Sequence, residues 1–310
     1  MSAVEIKKSG RESRDAAQLN GIMLADGFTT NAPQIPSGRN ILDIPSPACF
    51  TQCFLPPPFT GELMRAILLE DSVVVREDLP IPLLGPGEAL VRLLQAGICA
   101  TDLELVRGYL PFRGTLGHEF VGVVVEAADA PAKVGQRVVG EINLACGDCH
   151  QCRRGRPNHC DRRQVLGIRG RNGAFAEYLT LPLGNLHSVP DSIPDEAAVF
   201  TEPLAAALAI LQQVAIHPDD RVLVVGAGRL GQLIARVLRL TGCDLSVVAR
   251  HPRQRELLAM ANVASIAEDA VAERRSDLVV EATGSPSGLA LARRAVRPRG
   301  TIVLKSTYKG

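Results

Sequence analysis

The chain has 310 residues, 46% of them hydrophobic, enough for two domains of ordinary size. A formal net charge of +1 carries no nucleic-acid or membrane-surface signal, and no apolar run is long enough to span a bilayer. The first twenty residues mix Lys7, Lys8, Arg11 and Arg14 with Glu5, Glu12 and Asp15 and lack the apolar centre of a secretory signal, so the expected compartment is the cytoplasm.

Residues 1–63 are polar at first and then proline-rich, as in Leu55-Pro56-Pro57-Pro58, without a helical or strand period. They read as a disordered or poorly ordered extension. Cys49 and Cys53 within it read as incidental thiols. Residues 64–200 form the first expected domain. Short β-like runs at 65–69, 89–94, 120–125 and 137–139 alternate with glycine and proline turns, the spacing of a partly open β-barrel. A long apolar helix is expected over 195–216, with Pro194 favouring its start. Residues 201–310 form the second domain. Past Pro218, strands at 221–225, 245–248, 278–280 and 301–304 alternate with helices near 230–240, 254–260 and 287–295. Apolar strands alternating with helices imply a parallel sheet covered on both faces. The expected fold class is therefore a β-rich domain followed by an α/β domain.

Three motifs carry chemistry. Cys146-x2-Cys149-x2-Cys152-x7-Cys160 places four thiols within fifteen residues, the donor set of one closed, structural, tetrahedral zinc site. The neighbouring Arg153, Arg154 and Arg156 would favour the thiolate form that zinc needs. Gly226-Ala227-Gly228-Arg229-Leu230-Gly231 follows an apolar strand and opens a helix, the context that gives G-x-G-x-x-G its meaning as a dinucleotide fingerprint. Gly226 would make the tight turn, Gly228 would admit the pyrophosphate, and Gly231 would let helix and strand approach. The next strand ends Val248-Ala249-Arg250-His251-Pro252-Arg253, without the acid that binds the ribose of NAD. Arg250 and Arg253 suit a 2′-phosphate instead, which favours NADP over NAD. The third motif is Cys99, in Gly97-Ile98-Cys99-Ala100-Thr101-Asp102, with His118, in Gly117-His118-Glu119-Phe120-Val121-Gly122. One sulfur and one nitrogen are two of the three ligands that a catalytic zinc takes while keeping an open position.

In this order the motifs resemble those of the zinc-containing medium-chain dehydrogenase/reductase family, the alcohol and polyol dehydrogenases. The resemblance runs from about Met64 to the C-terminus. It implies a GroES-like catalytic domain followed by a Rossmann domain, and a zinc-dependent oxidoreductase moving hydride between an alcohol or carbonyl substrate and NAD(P). It implies that Cys99 and His118 hold catalytic zinc, with Glu202 of Phe200-Thr201-Glu202-Pro203-Leu204 as third ligand and Glu119 as the alternative. Thr101 matches the residue that passes the substrate proton towards solvent, and Asp102 the one that orients the zinc histidine. Cys146, Cys149, Cys152 and Cys160 match the structural zinc. Glu281-Ala282-Thr283-Gly284 resembles the loop beside the nicotinamide, with Thr283 as a cofactor contact. A homo-oligomer is the assembly expected from the family.

Departures accompany the resemblance. The ribose acid is replaced, and the stretch after Gly122 fits the family signature in part. The chain ends at Gly310, just past the expected strand at 301–304, where the family continues for several dozen residues. That ending suggests a truncated chain and sets up an alternative reading, an inactive remnant that binds zinc, nucleotide or both.

Overall fold

The computed structural model describes residues 22–24 and 62–306. The chain divides into two compact units, one ending at Val199 and the other starting at Phe200.

The first unit is built on antiparallel strands. Glu88–Gly97 is its central strand, flanked by Glu119–Glu126 on one side and by Tyr178–Pro182 and Ile22–Leu24 on the other. Arg137–Gly140 and Leu186–Ser188 extend the sheet beyond Glu119–Glu126. Smaller sheets join Leu63–Leu69 to Val73–Pro80 and Gly114–Thr115, and Asn143–Leu144 to Gln164–Leu166 and Gly170–Arg171. Between them these sheets bury Val91, Leu93, Phe120, Val124, Leu166, Phe175 and Leu181 in one aliphatic and aromatic cluster. This is the partly open barrel that the alternating runs imply, in the place of the GroES-like domain that the resemblance implies. Ile22–Leu24 is a strand in a stretch where the sequence shows no strand period. Residues 1–21 and 25–61 of the expected extension, Cys49 and Cys53 included, lie outside the described residues.

The second unit is a five-stranded parallel sheet in the order Ala264–Ile266, Asp244–Val248, Arg221–Val225, Ser276–Glu281, Val296–Leu304. Helix Arg229–Arg239 buries Ile234, Ala235, Val237 and Leu238 in one cluster, and Pro286–Ala295 buries Leu291, Ala292 and Ala295 in another. Val222 and Val224 belong to the first cluster and Leu223 and Val225 to the second, so strand alternation feeds both faces of the sheet. Strand order reverses between Arg221–Val225 and Ser276–Glu281, which puts the topological switch point beside the fingerprint.

The single long helix expected over 195–216 is two helices, Asp195–Ala198 and Thr201–Gln213. Pro203 explains the break. A proline inside a continuous helix would remove a backbone hydrogen bond and clash with the preceding turn; restarting at Thr201 places it in the first turn, where no such bond is needed. The boundary between the two units falls in this gap.

Candidate active site and metal centres

The register of one strand pair assembles the first centre. Gly97 and Glu119 are direct partners across Glu88–Gly97 and Glu119–Glu126. Cys99 follows Gly97 by two residues and His118 immediately precedes Glu119, so the two motifs meet at the end of this pair. One ligand atom each from Cys99, His118 and Glu119 lie within 4.8 Å of one another. His118 and Glu119 are buried and Cys99 half-buried. Gly97 has no side chain for a reason: a Cβ there would collide with Glu119 Oε2 and stand 3.1 Å from Glu119 Cβ.

Asp102 ties the centre together. Its carboxylate is 2% exposed and lies in the first turn of helix Ala100–Val106. Oδ2 accepts the Cys99 amide hydrogen at 2.8 Å, and Oδ1 accepts that of Gly117 at 3.3 Å. The same Oδ1 is 3.3 Å from His118 Nδ1, close enough for charge attraction but outside good hydrogen-bond geometry, and among the described residues Nδ1 has no other partner. A buried ring nitrogen held this loosely beside a carboxylate fits a ligand histidine whose orientation a bound ion would complete. Burial works against a charge on His118, yet the Asp102 carboxylate and the Cys99 side chain beside the ring raise its pKa well above the usual value. Thr101 Oγ1 lies 3.7 Å from Cys99 Sγ. A sulfur, an imidazole nitrogen and a carboxylate oxygen form a donor set that suits zinc with one position left open. Glu202 stands in the first turn of Thr201–Gln213, in the other unit, where its charge reaches Lys305.

The second centre is the cysteine loop. Sulfur separations are 3.4 Å for Cys149–Cys152 and Cys146–Cys160, 3.8 Å for Cys149–Cys160 and 3.9 Å for Cys146–Cys152. A tetrahedral zinc with bonds of about 2.3 Å to sulfur sets its sulfurs about 3.8 Å apart. A disulfide would need about 2.05 Å. The four thiols therefore fit one ion. Backbone amides of Cys152 and Asp161 pull the Cys149 thiol down to about 6. The cation beside the thiols is Arg162, which bonds Asp148 and reaches Cys146. Arg153, Arg154 and Arg156, the expected source of that charge, are exposed.

In the second unit the three fingerprint glycines do three different things. Gly226 has φ +107°, and a Cβ there would stand 2.7 Å from Thr283 Cγ2. A Cβ at Gly231 would strike the Gly226 carbonyl, so helix and strand touch there. Gly228, the N-cap of helix Arg229–Arg239, has open space around it, which leaves the helix start accessible to phosphate. Arg229 and Leu230 occupy the first helical turn. A cavity of about 240 Å³ opens at these strand ends, with Gly226, Gly228, Arg250, His251, Glu268 and Thr283 in its wall. Thr283 is fixed by the fully buried Glu281, whose Oε1 accepts its amide hydrogen at 2.7 Å and its hydroxyl hydrogen. Sequence reasoning missed two groups here. Glu281 was visible only as part of its motif, and Glu268, which pairs with Arg250, had no local signal.

Comparison with known proteins agrees with this geometry. The family model of the alcohol dehydrogenase GroES-like domain matches residues 85–191. L-galactonate-5-dehydrogenase of Escherichia coli K12 is 33% identical over 257 residues, covering 78% of this chain and 74% of its own length. An L-threonine 3-dehydrogenase of Chelativorans sp. BNC1 is 38% identical over 180 residues, or 56% of this chain; the chain spans about half, 52%, of that relative's length. A crystal structure described as a zinc-binding dehydrogenase of Sinorhizobium meliloti 1021 bound to NADP superposes with a TM-score of 0.73 at 31% identity, covering 80% of this chain and 78% of the other. With two donor clusters, a dinucleotide fingerprint at a switch point and these relatives, the chain belongs to the zinc-containing medium-chain dehydrogenase/reductase family of NAD(P)-linked oxidoreductases.

Proposed function

We propose that this chain interconverts a small-molecule alcohol or polyol and the matching carbonyl with NAD(P), using zinc held by Cys99, His118 and Glu119. The observation that carries the reading is the approach of these three ligand atoms to within 4.8 Å of one another at the end of one strand pair. It favours Glu119 over Glu202 as third ligand. Bound zinc supplies Lewis-acid polarisation of the substrate oxygen, and bound nicotinamide supplies the hydride carrier.

The chain's own residues do the rest. Asp102 holds the backbone on both sides of the centre and aligns His118. Thr101 presents a hydroxyl beside Cys99, placed to take the substrate proton towards solvent. Gly226, Gly228 and Gly231, with the helix that Arg229 and Leu230 begin, receive the pyrophosphate. Thr283 closes the loop against Gly226. Cys146, Cys149, Cys152 and Cys160 hold a second, structural zinc.

Residues 64–200 act as the catalytic domain and 201–310 as the nucleotide domain. NADP is the favoured cofactor, because the second strand is followed by Ala249-Arg250 without an acid. A homo-oligomer in the cytoplasm is the proposed setting; among the described residues no helix is long and apolar enough to cross a membrane. The relatives named above are dehydrogenases, which does not favour the inactive-remnant alternative. Elemental analysis of zinc per chain tests the reading. Two ions are expected in the wild type and in Glu202→Gln, and one in Cys99→Ser and Glu119→Gln. A single ion unaffected by Cys99→Ser would overturn it.

A further inference from the structure

We propose that Glu268 sets the cofactor preference of the nucleotide site by competing with the ribose 2′-phosphate for Arg250; this rests on the nucleotide reading above. The argument begins with strand register. Asp244–Val248 and Ala264–Ile266 run parallel with Val248 opposite Ile266. The Ala249 amide donates to the Ile266 carbonyl at 3.2 Å, carrying the pairing one residue further. Two residues beyond the paired positions stand Arg250 and Glu268, side by side at adjacent strand ends. Both Nε and Nη2 of Arg250 donate to Glu268 Oε2, at 3.2 and 2.9 Å. Both residues line the cavity that the fingerprint glycines bound.

The other cations near this strand end are engaged elsewhere. Arg253 pairs with Glu256 at 3.0 Å. Arg255 donates to the Ala249 and Arg250 carbonyls at 3.1 and 3.0 Å and so holds the strand end in place. Arg250 is thus the guanidinium that faces the cavity, and Glu268 occupies its donors. The pair is exposed, with 60% and 42% of its side chains open to solvent. An exposed ion pair is weak, so a phosphate dianion can displace the carboxylate. With NAD no displacement is needed, and the pair stays closed beside a neutral hydroxyl. The missing acid of the second strand is therefore supplied from the next loop, where it restrains the preference for NADP rather than abolishing it.

The test is titration calorimetry of the full chain with NADP and, separately, with NAD. Glu268→Gln removes the charge and keeps the shape. It is expected to tighten NADP binding by about fivefold, the scale of one screened surface charge, and to leave NAD within about twofold. In an Arg250→Gln background the same substitution should no longer change the ratio of the two affinities, because Glu268 acts through Arg250. An unchanged ratio in Glu268→Gln, or a change that persists without Arg250, overturns the proposal while leaving the nucleotide site standing. Failure of both nucleotides to bind the wild type overturns the nucleotide reading and this proposal with it. Circular dichroism melts of each variant separate these results from loss of folding.

Discussion

Replacing Gly97 by alanine adds one methyl group and probes whether Glu119 is a ligand. The new Cβ would collide with Glu119 Oε2 and come within 3.1 Å of Glu119 Cβ and 3.4 Å of its Cδ. Overpacking of this kind costs about 1–3 kcal/mol. The carboxylate is the far end of a flexible side chain and can swing aside, so the stability loss should lie near the low end, about 1 kcal/mol. The swing removes the oxygen from Cys99 and His118. Metal affinity at that centre should then fall by at least the 10- to 100-fold typical of losing a supporting group. Timed zinc release to a chelator, with zinc counted per chain and a melt recorded in parallel, reads both effects. Gly97→Ala should release one of two ions early and melt close to the wild type. If Gly97→Ala keeps both ions with wild-type resistance, Glu119 is not a ligand and the assembly argued from strand register is wrong.

Cys160→Ser should cost the cysteine-loop zinc and leave the Cys99 centre loaded, read as one ion per chain with faster proteolysis between residues 146 and 160. Asp102→Asn keeps the size but cannot accept from both the Cys99 and Gly117 amides as a carboxylate does; about 1–3 kcal/mol of stability and 10- to 100-fold in metal affinity should be lost. The zinc-stripped protein should show a pH dependence with a definite sign. His118 has a raised pKa in the fold, so its charge stabilises the zinc-free fold fully below the unfolded value of about 6.5, and that stabilisation fades as pH rises through the folded pKa. Melting temperature of the stripped chain should therefore carry a falling component above pH ~6.5 that His118→Asn lacks. Gly226→Ala, at φ +107° and against Thr283, should destabilise the second unit by about 1–2 kcal/mol and weaken nucleotide binding without changing zinc content.

What the sequence showed directly was what is local in it. Four cysteines within fifteen residues and a glycine fingerprint between a strand and a helix need no distant partner to be recognised; the four sulfurs come together, and a helix starts at the fingerprint. Cys99 and His118 were legible as separate motifs, but the choice of third ligand was not. The proposal of Glu119 rests on Gly97 pairing with Glu119 across two strands, and on a glycine whose missing side chain makes room for a carboxylate. The helix over 195–216 was overextended because its apolar run continues through residues 199–200, where Pro203 forces a restart. Glu268 was invisible because eighteen residues separate it from Arg250, and only the parallel register of two short strands brings them together. The sequence did not single out Arg162, the cation that bonds Asp148 and reaches Cys146, because it lies outside the span from Cys146 to Cys160.

The most direct test of a zinc-dependent, NAD(P)-linked alcohol oxidoreductase is turnover by the zinc-loaded 310-residue chain. Reduced nicotinamide would be followed on mixing NADP or NAD with a panel of secondary alcohols, polyols and hydroxy acids, beside Cys99→Ser as control. The account expects reduction of the cofactor with at least one class of substrate, lost in Cys99→Ser although the cysteine-loop zinc remains. A chain that carries both zinc ions and binds nucleotide yet reduces none across the panel would contradict it.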